Sequence, residues 1–275
     1  MIIDAHTHVF SDWPGSSIAS QGSPARLLRA MEECGVARAL AVSLLFNGGD
    51  SNATSIQAEH EYPSRFVAFA QLDSMGTPTY HTAGAADRLA ALHELHGGIH
   101  GFTHYCRDYD WFSSADGLKL FTKAAELKHV VSIAVFADGL APLAKIAAHF
   151  PSLTFLVHHM GRLQEKTQGA PDLAALRSAT TAPNVWFKIS GFHHLATDPR
   201  AYPHTALQPL VRALYDNVGP RRLVWGSDSP VVDQFMTYRQ SLDIFREHTP
   251  YIPTDDKALI LGGNLARLIA WPASK

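Results

Sequence analysis

Eight short apolar runs recur along this 275-residue chain with amphipathic segments between them, and that alternation limits the fold more than any other feature. The runs are residues 1–6 (MIIDAH), 38–44 (RALAVSL), 66–72 (FVAFAQL), 98–104 (GIHGFTH), 130–136 (VVSIAVF), 154–160 (TFLVHHM), 184–190 (NVWFKIS) and 222–227 (RLVWGS). Each is rich in Val, Ile and Phe, as expected of strands covered on both faces. The clearest helix between them has Ser23 as N-cap, Pro24 at its first position, Leu27, Leu28 and Met31 on one face, and Gly35 just past its end. Further helical patterns run through about 84–96, 115–128, 138–149, 171–180, 203–217 and 233–247, and a last one from Thr254 to Trp271 opens on acidic residues. Eight parallel strands close most naturally into a (β/α)8 TIM barrel, here one domain over residues 1–275. A doubly wound open sheet is the alternative, weakened because no Gly-rich nucleotide fingerprint follows the first strand.

Charge and composition exclude several partners. A net charge of -2 and a pI near 6.8 leave no electrostatic footprint for nucleic acid or an anionic membrane. No apolar run approaches the roughly 20 residues that span a bilayer. The N-terminus enters a strand directly, without the basic and apolar regions of a signal peptide, and the two cysteines, Cys34 and Cys106, form no framework, so a cytoplasmic location is expected. The expected partner is a small molecule, and a homo-oligomer is left open.

In such a barrel the chemistry lies at the C-terminal ends of the strands. The first run ends Asp4-Ala5-His6-Thr7-His8, and residues two apart on a strand share a face, so both imidazoles project into the barrel mouth. The sixth ends His158-His159-Met160-Gly161, where strict alternation lets only one histidine of the pair face the site. The eighth ends Gly226-Ser227-Asp228-Ser229-Pro230. Histidines and an aspartate at three strand ends form a set that coordinates a divalent metal or activates a water.

With these residues in hand, the chain resembles the amidohydrolase superfamily, in the amidohydrolase-2 branch of pyrone-dicarboxylate lactonases, sugar-acid lactonases and metal-dependent decarboxylases. The resemblance is carried by DAHTHVF at 4–10, HHMG at 158–161, NVWFKISG at 184–191, RLVWGSDSP at 222–230 and GGNLARL at 262–268. It implies that His6 and His8 are metal ligands, that His159 rather than His158 joins them, and that Asp228 is the general base and also touches the metal. Lys188 and Ser190 fall in the family's K-x-SG element, Lys188 as a site cation or a buried ion-pair partner. The implied cofactor is one divalent metal, Zn or Mn, or none; no lysine is placed to bridge two.

The sequence departs from the lactonase pattern after the fourth strand. Gly101-Phe102-Thr103 leads to His104 and Tyr105 where the group carries a cation for a substrate carboxylate, and Arg107 is the candidate replacement. Tyr105, Arg107, Trp13, Ser190 and His193 are the expected substrate-binding residues, and of His193, His194 and His204, which follow the seventh strand, one is a candidate to assist proton transfer. The resemblance favours hydrolysis of a small lactone. A metal-dependent non-oxidative decarboxylase of a small aromatic or unsaturated acid, and a ligand-binding barrel without chemistry, are the alternatives.

Overall fold

A computed structural model describes residues 1–13, 16–18, 20–44, 51–164 and 170–271. Its eight strands are β1 (Ile2–Thr7), β2 (Val36–Val42), β3 (Phe66–Gln71), β4 (Gly101–Tyr105), β5 (Val130–Ala134), β6 (Thr154–Val157), β7 (Val185–Ile189) and β8 (Leu223–Trp225). They form one parallel sheet in sequence order. The ring is joined between its first and last strands at the mouth: Thr7 bridges Ser229, the Asp228 N–H donates to the His6 carbonyl at 2.8 Å, and the His8 N–H donates to Ser229 at 2.7 Å. This is the (β/α)8 barrel the alternation calls for.

Alternation along the strands builds two apolar layers. Leu40, Val42, Val67, Phe69, Leu156 and Val224 fill the barrel interior. Their neighbours Ala39, Ala41, Phe66, Phe155, Phe187, Ile189, Leu223 and Trp225 pack against the helices. Those helices include α1 (Pro24–Cys34), α2 (Asn52–Glu61), α3 (Ala85–Leu95), α4 (Ala115–Glu126), α5 (Leu140–His149), α6 (Leu173–Thr180), α7 (Phe192–Leu195), α8 (Gln208–Val218), α9 (Tyr238–Arg246), α10 (Thr254–Ala258) and α11 (Asn264–Leu268). Leu265 and Ile269 join the interior cluster, so the last helix seals the floor of the barrel opposite the mouth.

The α1 helix keeps its expected ends, Ser23 accepting from the Arg26 N–H and Gly35 in the left-handed conformation. Helix α2 was not expected. It shows little apolar periodicity because polar side chains dock it: Asn52 exchanges hydrogen bonds with the Gln71 backbone at 2.7 and 3.0 Å, and Glu59 accepts from the Ala68 N–H at 2.7 Å. The pattern read from residue 233 starts as helix only at Tyr238, where Thr237 and Gln240 form a capping box. The segment from Thr254 does not run as one helix, because Leu259–Gly263 forms a wide π turn between α10 and α11. No described helix is long and apolar enough to cross a membrane, and Cys34 and Cys106 are both free.

Candidate active site

Strand β1 brings its histidines in by breaking its own regularity. Asp4 pairs with Ala39 but Thr7 with Ala41, so three steps on β1 oppose two on β2. That bulge turns Asp4 toward the Tyr238 hydroxyl of α9 while His6, two residues later, meets Lys188 inside the barrel. His6 and His8 then converge on Asp228, as the two-residue spacing predicts.

Strand β6 corrects the expectation that only one of its histidines faces inward. The strand ends at Val157, and His159, Met160, Gly161 and Arg162 all take positive φ (46, 55, 63 and 48°). Alternation therefore stops applying, at a conformational cost of about 1–2 kcal/mol per non-glycine residue. The His158 ring lies 4.5 Å from the His6 ring, and the His159 ring 4.7 Å from it, centroid to centroid. The same left-handed turn brings Arg162 to the pocket wall.

Two glycines make room for these rings. A Cβ at Gly191 (φ 68°) would lie 2.3 Å from His159 Nδ1, and one at Gly226 would lie 2.8 Å from His6 Cβ. The small residues of the SG and WGS motifs are thus the space that two site histidines occupy.

Asp228 sits at the centre, fully buried and with φ 67°. His8 Nε2 is 3.1 Å from Oδ1, while His194 Nε2 and His193 Nε2 are 2.9 and 3.2 Å from Oδ2. His6 and His159 follow at 3.6 and 4.0 Å. Burial would raise this carboxyl, but the surrounding histidines outweigh it and hold the group well below the ordinary carboxylate range. His6, His158 and His159 are held well below the ordinary imidazole range, first by burial; the Lys188 charge adds to it for His6 and His158. His6, His158 and His159 therefore stand around this one carboxylate as neutral imidazoles.

Below it lies a buried polar string. The Lys188 ammonium donates to Ser132 Oγ at 2.7 Å and lies 3.0 Å from His6 Nδ1, and Ser132 Oγ is 2.6 Å from His158 Nε2. Burial pushes Lys188 down to about 7, against the charges of Asp4 and Asp228, which favour the ammonium. Ser190, on the same face of the β7 end, is 3.1 Å from His159 Nδ1. It orients that ring rather than lining the pocket.

The donor set suits a divalent cation. His8 Nδ1–H donates to the Val42 carbonyl at 2.6 Å, so in the neutral ring the Nε2 lone pair points at the carboxylate oxygen 3.1 Å away. His6 Nε2 is buried with no hydrogen-bond partner and faces the same oxygen. The His8 lone pair and the carboxylate oxygen facing it repel unless a proton or a cation lies between them. Ligand atoms of His6, His8 and Asp228 lie within 4.8 Å of one another, as do those of His159, His194 and Asp228.

A pocket of about 250 Å³ opens above, walled by Trp13, Leu44, Met75, Tyr105, Phe136 and Arg162, among others, with His8, His159, His194 and Asp228 at its base. Of the residues expected to bind substrate, Tyr105 and Trp13 line this pocket. Arg107 does not line it: the exposed guanidinium stacks 3.1 Å above the Phe136 ring centroid, and Arg162 reaches the same ring at 4.8 Å. Arg162 was missed in the sequence, and His194 was named only as one of three histidines for proton transfer. The paired histidines after the SG motif and the arginine closing HMGR were the available signals.

The chain is 25% identical over 254 residues to a 4-sulfomuconolactone hydrolase of Rhizobium radiobacter, covering 82% of this chain and 75% of that protein. Its fold matches a probable 2-pyrone-4,6-dicarboxylic acid hydrolase of Acinetobacter baumannii crystallised with citric acid (TM-score 0.77, 20% identity, 97% and 98% of the two chains covered). It matches equally an amidohydrolase of Burkholderia multivorans with bound zinc (TM-score 0.77, 20% identity, 99% and 100% covered). The family model for amidohydrolases spans residues 3–270, from the first strand to the helix that seals the barrel floor, and the chain belongs to that family of enzymes.

Proposed function

We propose that the enzyme hydrolyses a small anionic lactone, with Asp228 as general base and Arg162 facing the substrate's anionic group. The observation that carries this reading is the ionised carboxylate at the base of a small pocket that also holds a guanidinium. Asp228 accepts a proton from a water molecule as its oxygen attacks the lactone carbonyl carbon. The acyl C–O bond then breaks, and the alkoxide takes that proton back, giving an open-chain hydroxy acid. His194 and His193, both on Oδ2, orient the carboxylate and pass its proton. Tyr105 and Trp13 pack against the ring of the substrate. The name of the 4-sulfomuconolactone hydrolase relative supports an unsaturated lactone carrying a strong anion.

His6, His8 and Asp228, with His159 adjacent, are the residues that would hold one Zn²⁺ or Mn²⁺. When bound, such an ion supplies a Lewis acid that polarises the carbonyl and lowers the pKa of water.

Hydrolysis of muconolactone-type substrates in ¹⁸O-water tests the reading. Incorporation of one ¹⁸O into the new carboxylate, abolished in Asp228→Asn with the fold intact, is the expected result. Release of CO₂ instead, or full turnover by Asp228→Asn, would overturn it.

A further inference from the structure

The bulge in β1 leaves one acidic side chain that no step above uses. Asp4 is fully buried, and Oδ1 accepts from two backbone amides: its own strand's His6 N–H at 3.0 Å and the Ser227 N–H beyond β8 at 2.9 Å. Oδ2 accepts from the Tyr238 hydroxyl of α9 at 2.8 Å. The Tyr238 ring is itself buried edge-on against Trp225 of β8, with centroids 6.2 Å apart. One carboxylate therefore ties together the amide of a site histidine, the residue before Asp228, and the helix layer outside the barrel.

The position of these bonds gives them their meaning. Among the described residues β1 and β8 share only one ladder bridge, Thr7 with Ser229, whereas β1 and β2 share four paired positions. The strand ends that carry His6 and Asp228 are thus joined by the weakest ladder of the barrel, and Asp4 supplies one hydrogen bond across that joint, to the Ser227 amide, while its bond to the His6 amide stays within β1.

We propose that Asp4 is a positioning residue. Its carboxylate fixes the end of β1 to the end of β8 so that His6 and Asp228 meet, and Tyr238 holds that carboxylate from outside. The role is one of hydrogen-bond geometry, and it rests on the reading of Asp228 as the general base.

Substitution separates geometry from charge. An asparagine at position 4 keeps the oxygen that accepts both amides, and its NH₂ group donates to Tyr238, whose hydroxyl can accept as well as donate. Asp4→Asn is therefore expected to stay within about threefold of the parent in kcat, whereas Asp4→Ala loses roughly 10²-fold in kcat with KM changed by less than about threefold. In the double variant Asp4→Asn/Tyr238→Phe the amide loses its acceptor, and kcat is expected roughly tenfold below Asp4→Asn alone. Assays run well below each variant's melting temperature. Asp4→Ala at parental kcat, or Asp4→Asn falling as far as Asp4→Ala, would overturn the proposal. If Asp4→Ala does not fold, the Tyr238 comparison decides: equal kcat for the asparagine variant with and without the tyrosine hydroxyl would equally overturn it. Asp228→Asn is assayed alongside. Activity in that variant removes the general-base reading, whereas an inactive Asp228→Asn beside a normal Asp4→Ala removes the staple alone.

Discussion

His194 Nε2 lies 2.9 Å from Asp228 Oδ2, and its side chain is 30% exposed while those of His6, His8, His159 and His193 around the same carboxylate are at most 8% exposed. In the proposed reaction it is the ring that carries the proton of the new carboxylic acid from the site to solvent. Glutamine in its place keeps an N–H donor but cannot relay a proton. His194→Gln should lower kcat by roughly 10²-fold with little change in KM, and added imidazole should restore part of the rate. An unchanged kcat would remove His194 from the proton path.

Arg162 forms part of the pocket wall with Phe136. A charge-assisted hydrogen bond to a substrate anion is worth about 1.5–3 kcal/mol, roughly a 10–10²-fold effect. Arg162→Met should raise KM by that factor for carboxylated or sulfonated lactones and leave a neutral lactone of the same ring size unaffected. Steady-state kinetics on such a pair checks this, and an equal loss on both members would point to a packing role.

Gly191 is the tightest constraint at the site, since a methyl there would sit 2.3 Å from His159 Nδ1. Its φ of 68° adds a left-handed penalty for any L side chain. Gly191→Ala should cost about 1–2 kcal/mol of stability, which alone would leave most barrels folded, yet reduce kcat by roughly 10²-fold because His159 is displaced. Denaturant melts alongside kcat measure both; a stable and fully active variant would show that the loop can yield.

Acid should destabilise the barrel through its buried imidazoles, with Asp4 and Asp233, pushed up to about 6 first by burial, working the other way over the same range. Burial pushes His104 down to about 4; its Nδ1–H donates to the Leu72 carbonyl at 3.1 Å, His81 Nε2 lies 3.3 Å from its Nε2, and the nearby Asp73 charge works the other way. Burial also takes His129 and His204 down to about 4. Between pH 6.5 and 4 the unfolded chain binds protons that the folded one does not, so stability present at pH 7 is lost as pH falls through that window. For His104 alone the full effect approaches about 3 kcal/mol. Urea midpoints at pH 7 and pH 5 should differ accordingly, and His104→Asn should flatten the dependence. A midpoint constant over that range would contradict the assignment of buried neutral rings.

The eight strands could be read from the sequence because strands covered on both faces are apolar without interruption, and β3 and β5 fall within a residue or two of the runs that announced them. His6, His8 and Asp228 could be read because a two-residue spacing and a strand-ending proline are local signals. That His159 joins His158 at the site, and that Arg162 reaches it, could not, since these directions depend on four consecutive left-handed residues that hydrophobic periodicity does not encode. Helix α2 stayed hidden for a related reason. It is fastened by Asn52 and Glu59 to the backbone of β3, and a polar side chain seeking a main-chain partner leaves no periodic trace. Arg107 illustrates the opposite error, a suitable residue type in a suitable loop that stacks outside the pocket.

Because the ring closes between its first strand and its last, His8 and Asp228 meet across 220 positions of sequence. A growing chain makes the two histidines of β1 before the rest of the barrel, but the carboxylate that faces them arrives only after seven strands have been made. Nothing shorter can assemble the charge arrangement on which turnover depends, and closing so long a loop is a late event in folding. On the proposed reading catalysis is thus a readout of completion: truncated or half-folded chains carry loose imidazoles without the carboxylate that faces them.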